Sequence, residues 1–204
     1  MTSTIKNMSK EGKLMEGVKV GFAMCGSFCT FSRALEQLRL LTRTGYEVVP
    51  IMSETAYRTD TRFGKAKDLR MEVENLCEKE IIHTIESAEP IGPKRMTDIM
   101  IIAPCTGNTL SKLVSATTDT VVTMAVKSHL RAQRPVLIAL ATNDGLSGSA
   151  KNMGAMLNRK NIYFVPMSQD DPIKKPNSLV AHFDLLVPAM EAALLEHQIQ
   201  PVFR

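Results

Sequence analysis

The chain of 204 residues contains no tryptophan, and aromatic residues of all kinds make up only 5% of it. So few rings leave no stacking platform for nucleic-acid bases. The charge balance agrees. The formal net charge is +4, and Lys6, Lys10 and Lys13 lie in the first sixteen residues, so the remainder is closer to neutral. Cys25, Cys29, Cys77 and Cys105 form no Cys-x-x-Cys pair, and His83, His129, His182 and His197 are scattered without metal-ligand spacing. No metal site is therefore expected, and the cysteines read as reduced thiols. No apolar run is long enough to span a bilayer. Met1 to Glu16 are polar and lack the apolar core of a signal peptide. These absences predict a cytoplasmic protein of bacterial type. The Gly-x-Gly-x-x-Gly dinucleotide fingerprint is missing as well.

The length and ordinary composition suit one α/β domain over residues 17–204, behind a flexible tail of residues 1–16. Short apolar runs alternate with helical patterns. Strands are predicted at Val18–Met24, Glu47–Met52, Ile81–His83, Asp98–Ala103, Pro135–Leu140 and Asn161–Val165, the last of the series. Pro50 inside the second run marks an edge strand or a late break. Helices are predicted at Phe28–Arg43, then, after a polar segment from Ser53 to Lys65, up to Leu76, at Leu110–Val114, Thr120–Arg131 and Ala150–Arg159, and roughly over Phe183–His197. Two prolines and a glycine make Glu89–Lys94 a loop, and Pro166–Pro176 reads as a loop bearing both signs of charge. The alternation predicts a three-layer, doubly wound parallel sheet of the Rossmann or flavodoxin kind.

Ligands of such sheets bind at the carboxyl ends of the strands, so the loops there are the candidate binding loops. After the first strand, Gly26 permits a tight turn and Ser27 falls at or near a helix N-cap, where free amides favour an anion; plain capping explains them equally well. Ser53 and Thr55, after the second strand, could reach the same anion. Ala103 to Thr109 follows the central apolar run, and the amides, Asn108 and Thr109 of this loop can pair with a heterocycle. Thr109 is also a natural helix cap. Cys105 is a candidate nucleophile, although a small buried thiol is the favoured reading. Asn143-Asp144-Gly145 is a turn at the same sheet end. The basic set Arg58, Arg62, Lys65, Lys94, Arg95 and Lys174-Lys175 reads first as a solvated face. Two or three of these charges turned inward would suit a dicarboxylate. His83, His129 and His182 read as structural, the methionines Met124, Met153 and Met156 as core rather than subunit contact, and no acid–base pair is evident, so no catalytic residue is assigned.

Taken together, Gly26-Ser27, Ser53–Thr55 and the Pro104–Thr109 loop resemble the flavoprotein family that includes phosphopantothenoylcysteine decarboxylase, lantibiotic cysteine decarboxylases and flavin prenyltransferases. The resemblance spans roughly Val18 to Val165. It implies that Gly26, Ser27, Ser53 and Thr55 hold the phosphate of FMN, and that Pro104, Thr106, Gly107, Asn108 and Thr109 contact flavin or substrate, with Asn143 near the decarboxylases' Pro-x-Met-Asn motif. The chain departs from that pattern. It has Ala141-Thr142-Asn143 where the motif has Met, no His in Glu89–Lys94, and no Arg-Glu-x-Pro strand end of the prenyltransferases. Thr59–Ala66, Glu89–Lys94, Ala103–Thr109, Thr142–Asp144 and Gln169–Leu179 are closer to one branch of the family, the B subunits of synthases that make pyridine-2,6-dicarboxylate during sporulation. That resemblance implies a dihydro or hydroxytetrahydro precursor, an A subunit that carries NAD(P), a homo-oligomer built of trimers, and a substrate clamp drawn from Arg62, Lys65 and Lys94. The alternatives are an FMN-dependent decarboxylase or prenyltransferase, and a subunit that only supports a catalytic partner.

Overall fold

The computed structural model describes residues 17–204; the first sixteen residues, read above as a tail, lie outside them. Four parallel strands form the centre: β1 (Lys19–Met24), β2 (Glu47–Met52), β3 (Ile99–Cys105) and β4 (Val136–Thr142), in the order β2-β1-β3-β4. Every residue of β3 is buried. Its alternation splits between two cores. Ile99, Ile101 and Ala103 face α1 (Phe31–Arg43), α3 (Ala66–Cys77) and α8 (Leu186–Leu194). Met100, Ile102 and Cys105 face α5 (Gly107–Val114), α6 (Val121–Leu130) and α7 (Ala150–Leu157). A strand covered on both sides has no polar face to present, which is why these runs are continuously apolar. The three layers are those expected.

β2 is the edge strand, as Pro50 requires. Pro50 accepts from Ile82 N–H at 2.9 Å, while Met52 N–H donates to Ile82 O at 3.0 Å, so the strand expected at Ile81–His83 is reduced to one bridge. Thr55 rides on the short helix α2 (Glu54–Arg58), which Ser53 caps by accepting from Ala56 N–H. Tyr57 of α2 stacks on His83 at 4.1 Å between centroids, and the Arg70 guanidinium covers its other face at 4.5 Å.

Three expectations are corrected. Glu89–Lys94 is not wholly irregular: α4 (Ile85–Ala88) runs into a 3-10 turn at Glu89–Ile91. Pro90 stands in the first turn, where no N–H is needed. The segment from Pro166 to Pro176 is not a loop but most of a hairpin, β6 (Met167–Asp171) and β7 (Lys175–Ala181). Its irregular register between Gln169 and Asp171 accommodates Pro176, whose carbonyl accepts from the Gln169 side chain at 2.8 Å. β5 (Ile162–Phe164) is therefore not the last strand, and the sheet is not wholly parallel. β7 joins antiparallel to the end of β4, pairing Val180 with Ala141 and Leu179 with Thr142. The outer edge of β6 is partly covered: Met167 N–H donates to Val202 O and Arg204 N–H donates to Met167 O.

His129, in α6, is buried between strand ends. Its Nε2 lies 2.9 Å from Pro135 O, an acceptor, so Nε2 carries the proton and Nδ1 accepts from the Thr97 hydroxyl at 2.9 Å. Burial drives its pKa down from 6.5 to about 4. The unfolded chain then binds a proton that the fold refuses, so stability is full above pH 6.5 and falls as pH drops towards 4. Urea unfolding should lose about 3 kcal/mol across that window, and His129→Gln should abolish most of this slope.

Candidate functional site

The carboxyl ends of β1, β3 and β4 open into a cavity of about 390 Å³. Its floor is built by close approach. Cys25 N–H donates to Pro104 O at 3.1 Å, and Ser53 N–H donates to Met24 O at 3.0 Å, which brings the loops after β1, β2 and β3 together. A Cβ on Gly26 would lie 3.0 Å from Thr55 Cγ2. At Gly107 a Cβ would lie 2.6 Å from Thr142 Oγ1, 2.7 Å from Ser149 Oγ and 2.9 Å from Asp144 Oδ1. The loops after β3 and β4 therefore touch through a glycine. Asp144 accepts from the Thr142 hydroxyl, and this bond, with one from Ser149, holds its carboxyl below the usual range. Asn143 is fixed between these two anchored residues with its side chain exposed.

The expected residues divide by their surroundings. Gly26, Ser27, Thr106, Gly107 and Asn143 line the cavity. Ser27 begins the 3-10 turn Phe28–Thr30, but its hydroxyl makes no capping bond. Thr106 caps α5, accepting from Thr109 N–H at 3.2 Å. Thr109 faces inward: its hydroxyl accepts from Thr106 and donates to Cys25 Sγ at 3.3 Å. Asn108 is exposed at the start of α5. Ser53 and Pro104 stand behind the lining, and Thr55 is exposed beside Gly26. Burial pushes the Cys25 thiol up to about 11 and the Cys105 thiol well above its ordinary range. Both are neutral small core groups at neutral pH, which removes Cys105 as a nucleophile.

The three expected clamp residues do not meet. Arg62 lines the cavity, its guanidinium 4.8 Å from the Phe63 ring centre. Lys65 lines an adjoining groove of about 270 Å³ between α1 and α3, which shares Phe28, Cys29 and Phe63 with the cavity. Lys94 is in the turn before β3, at the amino ends of the strands, and is corrected out of the site: the neighbouring Gly92 packs on Ser128 near the carboxyl end of α6. The second cation is Lys175 of β7, with Asp170 of β6 beside it. The sequence displays these charges, but only the hairpin geometry turns them inward. The short apolar run Leu179-Val180-Ala181 was the available signal, obscured by Pro172 and Pro176. Among the described residues no three His, Cys, Asp or Glu side chains cluster as a metal site, and no helix is long and apolar enough to cross a membrane.

Gly107→Ala should lower unfolding free energy by about 1–3 kcal/mol through the clash with Thr142 and Ser149. Gly154→Ala, in α7 with open space around it, should instead raise it by up to about 1 kcal/mol. Parallel urea titrations check both.

Comparison with known proteins places this geometry. The dipicolinate synthase B subunit of Bacillus subtilis is 43% identical over 188 residues, covering 92% of this chain and 94% of that protein. The crystal structure of the corresponding B subunit of dipicolinate synthase from Bacillus halodurans superposes with a TM-score of 0.86 at 41% identity, over 93% of this chain and 97% of that one. The FMN-dependent cysteine decarboxylase SpaF shares the fold, with a TM-score of 0.64 at 18% identity, over 89% and 98% of the two chains. The family model described as Flavoprotein matches residues 8–182. By this match the chain belongs to the flavoprotein family.

Proposed function

We propose that this chain is the B subunit of a dipicolinate synthase, acting with a nicotinamide-dependent A subunit to make pyridine-2,6-dicarboxylate in the cytoplasm of sporulating cells. The observation that carries the reading is 43% identity to the Bacillus subtilis protein along nearly the full length of both chains. The cavity chemistry supports it. Arg62 comes from the loop beyond β2 and Lys175 from β7, elements on either side of β1, β3 and β4 in the sheet order. Two cations so placed suit a ring with a carboxylate on each flank. The lining contains no histidine among the described residues, in keeping with the chain's departure from the decarboxylase pattern. Self-association into trimers or multiples of them belongs to the same reading.

The residues present also fit a flavin. The Ser27 hydroxyl is uncommitted, Gly26 leaves the backbone open beside Thr55, and Asn108 and Asn143 expose their amides. Gly26, Ser27 and Thr55 would hold the phosphate, with Ser53 and Pro104 shaping the loops behind. Thr106, Gly107, Asn108 and Asn143 would hold the ring, and Thr109 would brace the loop from within. Such a group, when bound, supplies a hydride acceptor.

The test is a visible absorption titration with FMN, followed by dicarboxylate binding. Flavin bands lost in Ser27→Ala and Asn108→Ala support a redox-active chain. No uptake assigns the redox step to the A subunit. In either case Arg62→Ala should weaken pyridine-2,6-dicarboxylate binding by about 1.5–3 kcal/mol, while Lys94→Ala should leave it unchanged. Equal affinity in the Arg62 variant would remove the clamp.

A further inference from the structure

Among the described residues that line the cavity, three are charged: Arg62, Lys175 and Asp170. Lys175 Nζ lies 2.6 Å from Asp170 Oδ2, and the two side chains are 54% and 28% exposed. The hydrogen bond from Lys175 to Asp170 raises the lysine pKa. The pair is thus an ion pair within reach of water, free to exchange partners. It sits on the hairpin, and Asp170 is the single carboxylate of the lining.

The lining carries two cations and one anion. A dicarboxylate adds two negative charges and competes with Asp170 for Lys175. An ionised Asp170 beside a bound carboxylate, its lysine taken, is disfavoured as any like-charge pair sharing a site is. A proton relieves it.

We propose that Asp170 is the acid–base residue of this cavity: the substrate displaces it from Lys175, it takes up a proton, and it uses that proton to eliminate water from a hydroxytetrahydropyridine dicarboxylate. This rests on the dicarboxylate reading of the site given above. In the elimination the ring C–O bond breaks with its electron pair, and the hydroxyl leaves as water with the proton from Asp170. The C–H bond on the adjacent carbon supplies the electron pair of the new C=C bond, and its proton returns to Asp170. The residue ends as it began, one water is lost, and the ring becomes a dihydropyridine without any oxidant. One carboxyl serves as acid and then as base on the same face of the ring.

The other titratable groups facing Asp170 are Arg62 and Cys29 across the cavity, and Arg33, Glu36, His182 and Asp184 across the hollow on its far side. Removing Asp170 alone separates its proton from theirs.

The experiment is calorimetric titration of the assembled two-subunit complex with pyridine-2,6-dicarboxylate, in metal-free buffers of differing ionisation enthalpy near pH 7. Wild type should take up about one proton per site. Asp170→Asn should take up none and bind at least as tightly, while Lys175→Gln should bind about tenfold more weakly. With the hydroxytetrahydro precursor, kcat of the Asp170→Asn complex should fall about 100-fold or more, and Asp170→Glu should restore part of the loss. Binding without proton uptake, or unchanged kcat in Asp170→Asn, overturns the assignment to Asp170 and leaves the clamp standing. Binding indifferent to both Arg62→Ala and Lys175→Gln overturns the dicarboxylate reading itself.

Discussion

At Gly107 two loops meet so closely that no side chain fits between them. The loop after β3 lies on Thr142 at the end of β4 and on Asp144 and Ser149 beyond it, and most of the site follows from that contact. It starts α5 at the wall of the cavity and lets Thr106 cap it. It fixes Asn143 between two hydrogen-bonded neighbours. It also brings Thr142 to the position where β7 pairs with it through Leu179. Ser178, buried beside that pair, donates to Thr142 O at 3.3 Å. One missing Cβ thus joins the parallel core to the antiparallel hairpin.

The two halves of the site differ in kind. The floor is glycines, hydroxyls and backbone at the ends of buried strands, where neighbouring turns hold each other by short main-chain bonds. Such a surface is preformed and adapts little. The charged wall is the opposite: Arg62 on a loop, Lys175 and Asp170 on a hairpin whose tip, Ile173, is 92% exposed. Rigid recognition of a flat ring and adjustable neutralisation of its charges therefore come from different parts of the fold.

The core was legible because burial on both faces leaves a plain mark in sequence: Ile99-Met100-Ile101-Ile102 allows few readings other than a central strand. The loops after it were legible because small residues and prolines end strands for steric reasons. The hairpin was not. Pro172 and Pro176 sit in and beside its turn, Ser168 to Asp171 are all polar, and only the short apolar run Leu179-Val180-Ala181 hints at a strand. Glu89–Ile91 misled in the same way, since proline excludes an N–H donor and not a helical turn. Lys94 was misplaced for a different reason: nearness in sequence to β3 does not tell which end of the strand a charge will occupy. Whether Thr109 turns its hydroxyl inward to Cys25 or outward to a ligand depends on packing across β1 and β3, which no local pattern records.

The hairpin also has a place in time. A chain growing from its amino end completes β1 to β5 before residues 167–181 exist, and the cover over Met167 is made later still, by Val202 and Arg204. The helices that precede β5 can pack on the parallel strands during synthesis, while Asp170, Lys175 and then α8, which completes one apolar face, come only with the later residues. Arg62 is in the chain early, and the late residues finish one core and the cavity wall together.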